Sequence, residues 1–147
     1  MTPPDPGDLW EITRVIAHYA RFADERRFEE MAELFTPDGR MLLFRPRSPQ
    51  PAETPQGREE LVAAFGALTV FEATGHVLAP SLVEVDGDVA RGYTRCMAHH
   101  ISETPEGRVR FTLADRYEDE LVRTESGWLF RERRKYTDWT ETAPLRQ

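Results

Sequence analysis

The chain has 147 residues, 39% of them hydrophobic, which suffices for one compact core and is too short for two ordinary domains. Nineteen Lys and Arg against 26 Asp and Glu leave a net charge of −7, which argues against a nucleic-acid backbone or an anionic membrane surface as partner. An uncharged or small partner is expected instead; no run approaches the roughly 18 apolar residues of a membrane span, and Met1-Thr2-Pro3-Pro4-Asp5-Pro6 lacks both a basic region and an apolar run, so a cytoplasmic protein is expected.

Residues 1–7, polar and rich in proline, read as a loose lead-in to a single domain covering 1–147. From Asp8, a candidate N-cap, Trp10, Ile12, Val15, Ile16, Tyr19, Ala20 and Ala23 recur every three or four residues, which predicts an amphipathic helix ending near Asp24. Phe28, Met31, Leu34 and Phe35 mark a shorter helix over 27–35, stopped by the turn signal Thr36-Pro37-Asp38-Gly39. Met41 to Phe44 predict a strand over 40–45. The proline-rich loop 46–57 follows, of a length that often borders a site, and then a third helix over 58–65 with Gly66 placed to end it.

The second half reads as extended segments at about 75–85, 89–101, 108–123 and 127–136. Asp86-Gly87 suits a tight type I′ hairpin, and Thr104-Pro105-Glu106-Gly107 and Thr124-Glu125-Ser126-Gly127 supply the next turns. Helices first and an antiparallel meander behind them point to an α+β domain with helices on one face of a curved sheet.

Alternation over 89–101 puts Ala90, Gly92, Thr94, Cys96, Ala98 and His100 on one face, and Arg91, Tyr93, Arg95, Met97 and His99 on the other. The first set is small, leaving room for helices or a ligand, so His100 is a pocket candidate. A surface histidine at a strand end is the alternative. In strict hairpin register His76 would lie on the face opposite His100. Pro80, however, sits where proline is tolerated mainly at an edge or a bulge, and one extra residue near 79–81 would turn both histidines inward. Without it, His76 is a lone strand histidine.

Asp24 lies five residues beyond Tyr19, about 140° around an ideal helix, so the two share a pocket only if the helix end distorts. Otherwise Asp24 is an exposed carboxylate beside Glu25, Arg26 and Arg27. Phe111, Leu113, Tyr117 and Leu121 predict an inward row that carries Asp115, and Asp119 with it, toward the core. Asp115 is then either a pocket acid or the partner of an arginine. Cys96 is the only cysteine, so an intrachain disulfide is impossible. The four scattered histidines lack zinc-like spacing and there is no glycine-rich phosphate loop, so neither metal nor cofactor is expected.

The series Ile16-Ala17-His18-Tyr19-Ala20-Arg21-Phe22-Ala23-Asp24, Leu34-Phe35-Thr36-Pro37-Asp38-Gly39, Gly57-Arg58-Glu59-Glu60-Leu61, Val83-Glu84-Val85-Asp86-Gly87-Asp88 and Leu121-Val122-Arg123-Thr124-Glu125-Ser126-Gly127-Trp128 resembles the SnoaL-like branch of the nuclear transport factor 2-like superfamily. The resemblance spans nearly the whole chain and implies a cone-shaped α+β barrel around an apolar pocket. It also implies acid/base chemistry of the kind its dehydratases, polyketide cyclases and isomerases perform, although non-catalytic members share the fold. Asp24, His76 and His100 match positions of scytalone dehydratase, and Tyr19 matches the tyrosine of bile acid dehydratases. Ala23 and Ala98 replace a tyrosine and an aspartate of those enzymes, and Asp115 stands where many relatives carry glycine.

These matches imply His76 and His100 as proton carriers, Asp24 orienting an imidazole, that of His100 by preference, and Tyr19 donating to a substrate oxygen. Phe65, Cys96, Ala98, Asp115 and Tyr117 are the candidate substrate contacts. The implied activity is dehydration of a hydrophobic, ring-containing metabolite, with cyclisation or isomerisation and ligand binding without catalysis as alternatives. Self-association as a dimer or trimer through the Arg91 to His99 face is also expected.

Overall fold

A computed structural model describes residues 3–146. The first helix, α1 (Pro6–Asp24), begins earlier than the composition suggests, because Pro6 occupies the first turn and the Asp5 carboxylate accepts from the Gly7 backbone N–H at 2.8 Å. Asp5 is therefore the N-cap. Asp8 instead accepts from Arg123 at 2.7 Å and from the Trp128 indole at 3.1 Å, pinning the helix start to the far end of the sheet. The stripe Ile12, Val15, Ile16, Tyr19, Ala20 and Ala23 is buried, but Trp10 is 63% exposed with the Arg14 guanidinium over its ring.

Two short helices follow, α2 (Phe28–Glu33) and α3 (Arg58–Phe65), the latter continuing into a 3-10 turn over Gly66–Val70. Between them lies β1 (Phe35–Phe44), so Thr36-Pro37-Asp38-Gly39 is an irregular stretch of strand rather than a turn. A register shift between Phe35 and Arg40 accommodates it. Gly39 fits there because a Cβ would meet Phe130 O, Phe35 Cβ and Thr36 O, each at 3.0 Å. Loop 46–57 folds back along β1. Leu43 N–H donates to Glu53 O, Ala52 N–H to Leu43 O and Met41 N–H to Pro55 O, so the edge strand's backbone groups are paired rather than bare.

The remaining strands are β2 (Ala73–Leu78), β3 (Leu82–Asp86), β4 (Val89–Thr104), β5 (Gly107–Thr124) and β6 (Gly127–Pro144). They form a six-stranded sheet in the order β1-β6-β5-β4-β2, with β3 also on β4; all pairings are antiparallel except β1 with β6. The fold is thus the expected α+β arrangement, helices packed on a curved sheet. β6 runs eight residues beyond the anticipated end at 136, its polar tail Thr137 to Pro144 pairing with Val109 to Asp115 of β5. In the β3–β4 hairpin Gly87 has φ 61° and Asp88 has no positive φ, the signature of a type II′ rather than a type I′ turn.

Facing α1, the inner side of β4 buries Ala90, Gly92, Thr94, Cys96, Ala98 and His100. The narrow part of the cone holds a charge. Arg133 and Asp119 form a bidentate pair at 2.7 and 2.9 Å with both side chains 0% exposed, and the guanidinium lies 3.9 Å from the Tyr117 ring centroid, 4.3 Å from Tyr19 and 4.4 Å from Phe130. Burial disfavours the charge on Arg133, but Asp119 outweighs it and the guanidinium stays protonated. Arg133→Met should strand the Asp119 carboxylate and cost about 3–5 kcal/mol of stability. The combined Arg133→Met, Asp119→Leu variant should lose clearly less than the two single losses added together. Urea unfolding of all four proteins measures the difference.

Candidate active site

The position of His76 is set by a break in the strand before the hairpin. From Leu78 to Leu82 the chain advances four residues, while their partners on β4, Cys96 and Tyr93, lie three apart. One extra residue is therefore absorbed at 79–81, around Pro80, and every residue upstream changes face. Two contacts hold the break in place: Ala79 N–H donates to Arg95 O at 2.9 Å, and the Ser81 and Thr94 hydroxyls meet at 2.7 Å. As a result His76 pairs with Ala98, diagonal to His100, and the two imidazole centroids are 6.0 Å apart.

Asp24 reaches this pair because α1 ends there, Arg26 turning the chain with a left-handed φ of 61°. With its proton on Nδ1, His76 donates to Asp24 Oδ1 over 2.7 Å, and the His76 backbone N–H donates to Oδ2 over 3.0 Å. Thr74 Oγ1 donates to the same Oδ1 at 2.9 Å and accepts from Arg26 Nη1 at 2.7 Å. Partial burial would raise the Asp24 carboxyl, but the ring and backbone hydrogen bonds of His76 prevail and hold it below the usual carboxylate range. Asp24 thus orients His76, not His100 as the sequence reading preferred.

His100 sits in a different environment. It is 8% exposed, its ring centroid is 4.3 Å from that of Phe71 and 6.3 Å from that of Phe111, and its Nδ1 is buried without a hydrogen-bond partner. Burial, with repulsion from His76, Lys135 and Arg26, pulls its pKa down to about 4 against the opposing pull of Asp24. His100 is therefore neutral at neutral pH.

Tyr19 is placed elsewhere. Its ring packs against Phe35, Phe65, Tyr117 and Phe130, its hydroxyl donates to Met41 Sδ at 3.3 Å, and burial pushes its pKa up. Phe65 and Tyr117 belong to this closed aromatic cluster, 5% and 2% exposed, so they shape the core under Arg133 rather than an open wall. Cys96, its thiol pushed up to about 11 by burial, and Ala98 form the floor between the histidines and β5.

Asp115 does face inward, yet no arginine pairs with it. Thr137 Oγ1 donates to Oδ1 at 2.6 Å, Lys135 Nζ stands 3.8 Å from Oδ2, and Oδ2 has no hydrogen-bond partner. Beside it, Leu43, Phe44, Phe111, Leu113, Lys135 and Thr137 line a cleft of about 320 Å³ at the open end of the sheet, which loop 46–57 borders. Phe111 and Leu113 pair with His100 and Ala98, so the cleft and the histidines share one concave face.

Arg26, Thr74, Lys135 and Arg133 escaped the sequence reading. Lys135, the chain's only lysine, and Arg133 lie on the same alternating face of β6, a period-two signal that was readable. The contacts of Arg26 and Thr74 depend on where α1 meets β2, which spacing alone does not encode.

The description "SnoaL-like domain" matches residues 7–134. Rv2910c of Mycobacterium tuberculosis, an uncharacterized protein, is 29% identical over 122 residues, covering 83% of this chain and 80% of the relative. Among solved structures, Kfla4162 of Kribbella flavida has a TM-score of 0.81 at 24% identity, covering 92% of this chain and 93% of that one. A protein of Novosphingobium aromaticivorans provisionally named a scytalone dehydratase has a TM-score of 0.76 at 24% identity, covering 94% and 89%. At these identities the structures share the fold, and the family match over residues 7–134 carries the assignment: the chain belongs to the SnoaL-like domain family of the nuclear transport factor 2-like superfamily.

Proposed function

We propose that the protein is a cofactor-independent dehydratase acting on a hydrophobic, ring-containing metabolite. The observation that carries this reading is the Asp24–His76 pair beside a neutral, unpartnered His100 on one concave face. With Nδ1–H committed to Asp24, His76 offers the lone pair of Nε2 as a base, and the carboxylate stabilises the imidazolium that forms. His76 takes a proton from a carbon next to a carbonyl, the C–H electrons become the new double bond, and the C–O bond of the departing hydroxyl breaks. The proton then passes from His76 to that hydroxyl, which leaves as water, and the base is restored. His100, neutral, holds the hydroxyl by a hydrogen bond. Tyr19, its hydroxyl turned to Met41, keeps the shape of the cone.

The SnoaL-like family includes dehydratases and isomerases, and an isomerase would use the same base. Loss of water from the product, read by mass, separates the two. His76→Ala should lower the rate on the order of a hundredfold or more, and Asp24→Asn should lower kcat with little change in KM. Wild-type turnover by His76→Ala would refute the assignment.

The state of His100 has its own signature in stability. Its folded pKa of about 4 lies below the ordinary 6.5, so the unfolded chain takes the proton first as the pH drops. Stability is complete above about pH 6.5 and falls by on the order of 2 kcal/mol toward pH 4. His100→Gln should flatten this interval in urea melts, while the contribution of Asp24 disappears only at lower pH, through its own depressed pKa.

We further propose that the protein is cytoplasmic and self-associates through the outer sheet face, where Tyr93 and Met97 are half-buried and Trp139 is 50% exposed. Light scattering at micromolar concentration should give a dimer or trimer, and Trp139→Glu should shift it to monomer.

A further inference from the structure

Resting on the reading of the concave face as a substrate site, we infer that Lys135 and Asp115 form a second recognition point in it, one that reads a hydroxyl group on the ring of the ligand. The walls of the cleft, Leu43, Phe44, Phe111 and Leu113, are apolar and suit a flat ring. Two unsatisfied polar groups of opposite kind stand together beside it, Lys135 on β6 in its lining and Asp115 on β5 behind it. Lys135 Nζ has no acceptor within hydrogen-bond distance among the described residues, and Asp115, 1% exposed, keeps Oδ2 without a donor.

The geometry selects the ligand chemistry. The ammonium nitrogen and Oδ2 are 3.8 Å apart, too far to bond each other and close enough that one oxygen can lie within hydrogen-bond distance of both. A hydroxyl accepts from Lys135 and donates to Asp115, satisfying both groups. A carbonyl or an ether oxygen accepts only and leaves Oδ2 bare. A carboxylate is disfavoured, because Lys135 is already balanced by Asp115, and the other charges of the cleft, Arg45 and Glu53, are of opposite sign. Thr137 fixes the carboxylate through Oδ1, so Asp115 is held rigidly.

The test is binding, independent of turnover. 2-Naphthol and 2-methoxynaphthalene present the same ring with and without a donor, and their affinities are measured by calorimetry at pH 7. The wild-type protein should bind 2-naphthol at least tenfold more tightly. Lys135→Met and Asp115→Asn should each shrink that preference below threefold, and Asp115→Asn should leave 2-methoxynaphthalene binding within twofold. His76→Ala should retain the preference, which separates this inference from the assignment of the base. Equal affinity of the wild type for the two compounds, or no binding of either, overturns the inference without using any variant. A preference that survives in Lys135→Met, shown by circular dichroism to be folded, overturns it as well.

Discussion

A one-residue step in strand register at 79–81 decides what the concave face can do. Side chains alternate faces along a strand, so an insertion of one residue moves everything upstream to the other side. Without the step, His76 would face outward with Val77 in its place, and the carboxylate of Asp24 would lose both the ring and the backbone N–H it now holds. Pro80 suits this position because it has no N–H to contribute to a ladder, and the ladder to β4 is interrupted there. The Ser81–Thr94 contact closes the gap from inside and leaves β3 free to continue in ordinary register to the hairpin.

The two ends of the cone differ in how their buried charges are paired. At the narrow end Arg133 and Asp119 bond one another twice under three aromatic rings, so a deeply buried charge is tolerated although Arg133 Nη1 is buried without a hydrogen-bond partner. At the open end His100 Nδ1 and Asp115 Oδ2 are buried and left without partners. Each such group costs stability that a protein selected for stability alone would recover. Their grouping on one face, beside a cleft with apolar walls, is the arrangement a ligand-binding site requires, since the missing partners can come from the ligand.

Much of the fold was legible because its signals are periodic. The three-and-four spacing of Ile12 to Ala23 gave α1, and the two-residue alternation of Ala90 to His100 gave the inner face of β4. The register step could be argued from a single proline. What spacing could not provide was any contact joining distant segments. Asp24 chooses His76 over His100 because the helix end, turned by a left-handed Arg26, meets β2 rather than the far end of β4. Asp115 and Asp119 look alike in sequence, four residues apart on one face, but only Asp119 lies within reach of Arg133, because the β5–β6 register sets Asp119 opposite Arg133 and Asp115 opposite Thr137. Thr36-Pro37-Asp38-Gly39 has turn composition and still lies in a strand, since a bulge tolerates the residues a regular ladder rejects.

The proposed reaction assigns different parts to two identical side chains, and their unequal surroundings suit that division. His76 has a carboxylate on Nδ1, so a positive charge arising on its ring is matched at once, whereas His100 has aromatic rings around it and cations nearby, so charging it is opposed. Of the two, only His76 has a carboxylate hydrogen-bonded to its ring. The other, kept uncharged, can lie close to the first without repelling the imidazolium that the first becomes. Under the proposed reaction, a second readily charged imidazole with its centroid 6.0 Å away would oppose the imidazolium formed on His76, which gives the depressed pKa of His100 a use.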